Sequence, residues 1–206
     1  MNGAETDARE ASLVASIEPS PIATVITNPR LPDNPLIAVN AAFCALTGYA
    51  SCEILGRNCR FLAGEQTEPW QTETVREAIR SRQPRLTELL NYRKDGTPFR
   101  NALLIAPILD DDGEAAWFLG SQVAVGEGAG DPLALRQRRA ARMVHDLSPR
   151  QHEVLREMAR GSRNKQIAWR LSLSEKTVKM HRGLLLQKLG VRTTADAIRV
   201  AVEAGL

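Results

Sequence analysis

Cys59 stands in the run Gly56-Arg57-Asn58-Cys59-Arg60-Phe61-Leu62, between an amide and a guanidinium and just ahead of an apolar stretch. A cysteine can serve as a nucleophile, metal ligand, disulfide partner or redox centre, and its surroundings decide which. The three histidines, His145, His152 and His181, all fall in the last third of the chain, so no imidazole near in sequence activates a thiolate. The other cysteines, Cys44 and Cys52, form no CxxC pair, which removes the usual metal-ligand spacing. A thiol in polar company suited to a bound polar cofactor remains. Three carboxamides point the same way. If Asn91, Asn101 and Gln122 lie on strands and face inward, Leu89, Leu103, Ile105, Phe118 and Gly120 face inward with them. Side-chain amides on a mostly apolar interior face are costly unless something polar satisfies them.

The elements that must position these groups can be read from pattern. Ile22–Thr27 and Leu36–Val39 are short apolar or β-branched runs separated by the turn-rich Asn28-Pro29-Arg30-Leu31-Pro32-Asp33-Asn34-Pro35. Short helical pieces follow at Ala41–Thr47, Ser51–Leu55 and Thr72–Arg82. Three strands, about 86–93, 98–108 and 115–125, are divided by the hairpin signals Lys94-Asp95-Gly96 and Asp110-Asp111-Asp112-Gly113. The same strand parity sends Leu90, Tyr92, Leu104, Trp117, Leu119 and Val123 to an outer face too apolar to stay wet. Residues 126–130 read as a small flexible joint, and 131–146 as a helix bearing Arg136, Arg138, Arg139 and Arg142. From Leu147 the pattern is all helix: Ser148-Pro149 opens one, Gly161 stops it, Asn164–Leu171 is the second, Ser174 caps a third and Thr194–Ala204 is the fourth.

Bulk properties narrow the class. The 206 residues leave room for two small domains, and no apolar run approaches the roughly 20 residues that span a bilayer. The N-terminal MNGAETDARE has no apolar core and is no secretory signal. The odd set of unpaired cysteines suits free thiols in a reducing cytoplasm. Residues 1–130 hold 11 Lys and Arg against 17 Asp and Glu, a net of −6, whereas residues 131–206 hold 16 against 7, a net of +9. Only the second half is therefore expected to meet a polyanion.

The stretch 17–125 resembles the LOV (light–oxygen–voltage) family through PRLPDNP, GRNCRFLAG, NYRKDGTPFRN and FLGSQV, in order and at family spacing. A flavin ring edge would satisfy the carboxamides. The resemblance implies that Cys59 bonds covalently and reversibly to flavin carbon C4a after blue light, with N5 becoming protonated and so turning from acceptor to donor towards Gln122. It assigns Asn58, Asn91, Asn101 and Gln122 to the isoalloxazine edge and Arg60 and Arg76 to the cofactor phosphate. Val25, Thr27, Asn34, Leu62, Leu103, Phe118 and Gly120 would line the pocket. The short segment from Gly64 to Thr74 favours FMN over FAD, and Ala63 stands where many relatives carry glutamine.

The stretch from Leu147 resembles the LuxR-type helix-turn-helix along its whole length. A helix, a turn, a short helix and a longer basic one is the layout that places a recognition helix in the major groove. Val178, Leu185, Leu186 and Leu189 are expected as its buried stripe, with Lys176, Lys179 and Arg182 on the other side. The resemblance implies DNA contacts from Lys165, Lys176, Thr177, Lys179 and Arg182, while Gly183 departs from the commoner asparagine. The last helix, with Ala197, Ile198, Val200, Ala201, Val202 and Leu206, is more apolar than one packing face needs, and in the family it dimerises.

The expectation is an α+β chain. A loose tail or short helix (1–16) precedes a PAS/LOV domain (17–125) with a five-stranded antiparallel sheet and helices on one face. A linker and connecting helix (126–146) lead to an all-α four-helix DNA-binding domain (147–206). In the dark the last helix lies against the sheet at Leu104, Trp117 and Leu119 through residues such as Ile198 and Val202, and the protein is a monomer. In light it is released, dimerises and binds double-stranded DNA, with RNA polymerase as a further partner and no membrane. The chain reads as a regulator rather than an enzyme. A redox flavoenzyme lacks a GxGxxG fingerprint to feed it, a phospho-receiver lacks parallel βα repeats, and a lactone sensor needs a longer ligand domain. A flavin-based redox sensor without photochemistry is the alternative.

Overall fold

Turn chemistry partitions the N-terminal half into strands. At the first hairpin Asp95 Oδ1 accepts from Thr97 N at 2.9 Å, and Gly96 adopts φ +85°. At the second, Asp110 Oδ1 accepts from Asp112 N at 3.0 Å and Glu114 N at 2.9 Å, with Gly113 at φ +83°. Both glycines occupy a left-handed conformation that a Cβ would strain. The computed structural model describes residues 3–126 and 132–206, so most of the joint expected at 126–130 lies outside the described residues.

The chain runs α1 (Gly3–Ile17), β1 (Ala23–Thr27), β2 (Leu36–Val39), α2 (Ala41–Thr47), α3 (Ser51–Ile54), a 3₁₀ turn (Cys59–Leu62) and α4 (Pro69–Ser81). It continues through β3 (Arg85–Tyr92), β4 (Pro98–Leu109) and β5 (Ala115–Val125). One antiparallel sheet orders these strands β2-β1-β5-β4-β3. In register, Gln122 on β5 stands opposite Leu103 on β4 and Ala23 on β1. The exposed edge of β3 is protected by the segment after the 3₁₀ turn: Thr67 Oγ1 donates to Leu90 O at 2.7 Å and Leu90 N donates to Gln71 Oε1 at 3.2 Å. That segment also packs on Tyr92, whose hydroxyl accepts from Gln66 N at 3.1 Å.

The N-terminal stretch is a helix rather than a loose tail. Ile17, 1% exposed, anchors α1 in the core, and Glu10 Oε1 accepts from Trp117 Nε1 and Asn28 Nδ2, each at 3.2 Å. Asn40 joins α1, β1 and α2. Its Oδ1 accepts from Thr24 N and Phe43 N, both at 3.0 Å, while Nδ2 donates to Ile17 O, Ser20 O and Ile22 O. An amide that caps a helix and satisfies a buried connection at once has no apolar substitute.

The C-terminal half comprises α5 (Pro132–His145), α6 (Pro149–Ala159), α7 (Asn164–Leu171), α8 (Glu175–Leu189) and α9 (Thr194–Glu203). The caps follow the sequence signals: Ser148 accepts from Gln151 N, Ser174 from Thr177 N and Thr193 from Asp196 N. Gly161 at φ +85° follows the end of α6. The core divides unevenly. Inside the sheet lie two separate clusters, one around Val25, Leu36, Phe43, Ile54 and Leu62, the other around Ala78, Ile105 and Phe118. Outside it one continuous cluster joins Ile17, Leu104, Trp117 and Leu119 to Val154, Leu185, Ile198 and Ala201 of the C-terminal helices.

Asn40→Ala removes the side-chain acceptor of Thr24 N and Phe43 N and the amide donor to three carbonyls, so urea denaturation is expected to show a loss of about 2 kcal/mol. A loss below half that would show that the connection is held by packing alone.

Candidate cofactor cavity and helix-turn-helix surface

Between the two inner clusters lies a cavity of about 810 Å³, within the size range of small-molecule sites. Strand alternation turns Asn91, Asn101, Leu103, Phe118, Gly120 and Gln122 into it from β3, β4 and β5, as the sequence parity requires. Val25 and Thr27 line it from β1, Asn34 from the loop before β2, and Asn58, Cys59, Arg60 and Leu62 from the 3₁₀ turn. Arg76 lines it from α4. All fourteen residues expected at the site are thus brought to one cavity. Leu89, Ile105, Val75, Ile79 and Arg80 also line it. The three on α4 escape sequence reading because no motif marks which side of that helix turns inward.

The polar groups are left unfinished in a particular way. Asn101 Nδ2 donates to Asn91 Oδ1 at 2.8 Å, and Asn91 Nδ2 donates to Leu62 O at 3.2 Å. Thr27 Oγ1, Asn34 Oδ1, Asn101 Oδ1 and Gln122 Oε1 are buried without a partner among the described residues. Four orphaned oxygens, all on residues of one cavity wall, are what a missing polar ligand leaves behind. Gly120 keeps the wall thin, since a Cβ there would come within 2.8 Å of Val25 Cγ2.

Cys59 borders the cavity and is half-buried, with part of its surface opening on the void. Burial pushes its pKa up to about 12. The group is therefore a neutral thiol at any physiological pH, in keeping with the absence of an imidazole near it in sequence.

Three of the expected contact residues also have partners within the chain. Asn58 lies in the wall, but both ends of its amide are committed. Oδ1 caps the 3₁₀ turn by accepting from Arg60 N at 3.0 Å, and Nδ2 donates to Asp33 O at 2.6 Å. Its place is to hold the loop that carries Asp33 and Asn34, both in left-handed backbone. Arg60 and Arg76 stand among the lining residues already paired, Arg60 with Asp33 at 2.5 Å and Arg76 with Glu73 at 3.3 Å. Arg60 holds the Asp33 carboxyl below the usual carboxylate range. Both pairs are exposed, and exposed pairs are weak enough for an anionic ligand to displace.

In the C-terminal module Lys165, Lys176 and Lys179 are exposed along α7 and α8, and the half-buried Thr177 closes the α8 cap, its hydroxyl 2.8 Å from Ser174 Oγ. Arg182 departs from expectation. It turns between helices, its guanidinium bonded to Asn164 Oδ1 and, at 2.9 Å, to Thr194 Oγ1. Two polar side chains from α7 and α9 capture it, which a single-helix projection cannot show.

The outer sheet face is covered by α9. Leu104, Trp117, Leu119 and Ile198 are buried in one cluster, with Val202 half-buried against it. Polar ties unread in the sequence cross the same boundary. Arg199, 1% exposed, donates to Ser121 O at 2.8 Å and Ala102 O at 3.0 Å, and Ser20 Oγ donates to Asp196 Oδ1 at 2.5 Å. At the far end of the sheet, Gln166 Nε2 donates to Asp110 O at 2.8 Å and Leu109 N to Gly161 O at 3.1 Å. Gly161 sits so close that a Cβ would fall 2.3 Å from Pro107 O.

These features define a ligand-binding sensor domain joined to a helix-turn-helix. The chain belongs to the PAS domain family, whose model matches residues 21–123, and carries a domain of the bacterial regulatory proteins of the luxR family over residues 145–201. Within the PAS family it is of the LOV kind. It is 42% identical over 137 residues to a blue-light-activated histidine kinase of Brucella anthropi, covering 66% of this chain and 28% of the relative. With blue-light-activated histidine kinase 1 of Erythrobacter litoralis it shares 50% identity over 101 residues, 49% of this chain and 28% of the relative. A solved light–oxygen–voltage domain whose mechanism was probed with a flavin analogue superposes with a TM-score of 0.53 at 44% identity, covering 56% of this chain and 86% of that one. The chain thus spans little more than a quarter of the length of these kinases.

In cofactor-free protein at pH 8, Cys59, with its pKa raised to about 12, should hold roughly a thousandth of the thiolate of an unperturbed cysteine, so exposed Cys52 should be alkylated first by a wide margin. Mass-resolved iodoacetamide labelling reads this directly, and equal rates would contradict it.

Proposed function

We propose that the chain is a blue-light-controlled, DNA-binding transcription regulator whose cavity holds a flavin. The observation that carries this reading is the sheet itself, with orphaned polar groups on the inner face and α9 pressed to the outer. The cavity fits a flavin by size, by the carboxamides that would meet a polar ring edge, and by the arginines Arg60 and Arg76 that would hold a phosphate. One phosphate and a short loop favour FMN over FAD. When bound, the flavin supplies absorption of blue light and, once excited, an electrophilic ring carbon to which the Cys59 sulfur bonds reversibly.

The protein's own groups do the rest. Cys59 keeps its proton until that moment, so the dark cavity stays chemically quiet. Gln122 has an amide that donates from one end and accepts at the other, and turning it over re-pairs it with a changed neighbour. One hydrogen bond changed in kind is worth about 1 kcal/mol or a few, enough to shift a poised contact tenfold. The contact at stake is α9 on the sheet. Its burial in the dark withholds the surface through which two copies would pair, while Lys165, Lys176 and Lys179 stay accessible. Release would let α9 dimerise, placing two recognition helices on half-sites of double-stranded DNA. The output is therefore regulation rather than catalysis, exercised in the cytoplasm where DNA and RNA polymerase are met.

Purified protein should show a structured flavin band near ~450 nm that bleaches under blue light and recovers in the dark. The absorption belongs to the flavin and the bleach to the bond from sulfur, so Cys59→Ala should keep the band and lose the bleach. Illumination should also raise DNA affinity tenfold or more and shift sedimentation from monomer to dimer. A colourless protein, or equal binding in dark and light, would contradict the proposal. In the lit state Lys179→Ala should lower the salt dependence of DNA binding by about one counterion, whereas Arg182→Ala should chiefly lower the melting temperature of the C-terminal module.

A further inference from the structure

We infer that Arg199 is the positioning residue that couples the flavin cavity to the docked C-terminal module, reading the peptide between Ser121 and Gln122. The inference rests on the light-controlled release proposed above and names the group that would report it. Arg199 Nη1 donates to Ser121 O at 2.8 Å and Ser121 Oγ at 3.2 Å, Nη2 donates to Ala102 O at 3.0 Å, and Nε donates to Glu203 Oε1 at 2.8 Å. The Ser121 carbonyl and the Gln122 amide N–H belong to one planar peptide unit. A rearrangement at Gln122, which turns its side chain into the cavity, therefore tilts the acceptor that Arg199 holds on the opposite face. No intervening side chain is needed.

The guanidinium is suited to report such a tilt. It is fully desolvated, and Glu203, the carboxylate it pairs with, is itself shared with Arg136 of the connecting helix α5 at 3.6 Å. A buried donor that loses its acceptor suffers the desolvation without return, while solvent outside the interface offers the hydrogen bonds back. The bidentate reach across Ser121 on β5 and Ala102 on β4 also requires a fork, which a lysine ammonium cannot supply. Glu203 and Arg136 extend the line of contacts to the helix that joins the two modules.

The dipeptide Ser-Gln occurs once in the chain, so carbonyl-¹³C serine with ¹⁵N glutamine gives full-length, flavin-loaded protein a single carbonyl–amide NMR correlation. In wild type, that correlation should move on blue illumination, its carbonyl shift falling as the bond from Arg199 is lost. In Arg199→Lys it should already be displaced in the dark, with dark DNA affinity raised at least tenfold and flavin bleaching unchanged. A wild-type correlation unmoved by light while DNA binding still rises would overturn the role of Arg199 and leave light control standing. So would an Arg199→Lys protein with the wild-type dark-to-lit ratio. A flavin that never bleaches would defeat the photosensor reading instead, and the dark comparison of the two proteins would still decide whether Arg199 holds the module down.

Discussion

Successive residues of a strand point to opposite faces, and in β5 neither face can be left to water. Phe118, Gly120 and Gln122 turn into the cavity, while Trp117, Leu119 and Ser121 turn towards α1 and α9. The rest of the molecule follows from this double demand. The inner face, interrupted by carboxamides, cannot close as a continuous apolar core and leaves a cavity with four orphaned oxygens among the described residues. The outer face is too apolar to stand alone and takes the last helix as its cover. One strand thus separates a polar binding site from a docked module by the thickness of a single layer.

The docked interface combines two kinds of contact with different tolerances. Its apolar part is continuous with the core of the C-terminal module, so area alone would favour permanent association. Its polar part works against permanence. Arg199, Ser20, Asp196 and Gln166 all surrender hydration to make these bonds, and polar groups buried at a boundary contribute little net free energy once their desolvation is counted. An interface of this composition is specific in register yet responsive to the loss of one bond. Gly161 adds a steric condition, since only a residue without a Cβ lets the α6–α7 turn approach the Pro107 carbonyl.

Much of this is legible in the sequence alone. Hairpin signals at Asp95-Gly96 and Asp112-Gly113, N-caps at Ser148 and Ser174, and strand parity are local chemistry, and with the motifs they locate nearly every element and fourteen of the residues that line the cavity. Contacts between residues far apart are harder to read. Gly3–Ile17 forms a helix packed through Glu10 and Ile17, whose partners lie outside the segment and are not encoded by propensity. Asn58 reaches the cavity wall as expected but also ties down the loop beside it, a role its motif does not announce, since a short amide reaches nearby backbone first. Arg182 looks solvent-facing on its own helix and is captured by two neighbours. Arg199 carries one hint, a charge set between Ile198 and Val200 within the apolar run 197–202, but its acceptors lie 78 and 97 residues away.

The most direct test of the account is whether light uncovers the outer face of the sheet. Ala106, fully buried on that face within the cluster shared by both modules, can be replaced by cysteine with little change in volume. Its alkylation, followed by mass spectrometry peptide by peptide, should be slow in the dark and rise by an order of magnitude or more under continuous blue light. It should return to the slow rate as the flavin absorption recovers. Labelling at the same slow rate in dark and light, in protein whose flavin bleaches normally, would show that the module stays docked and would contradict the account.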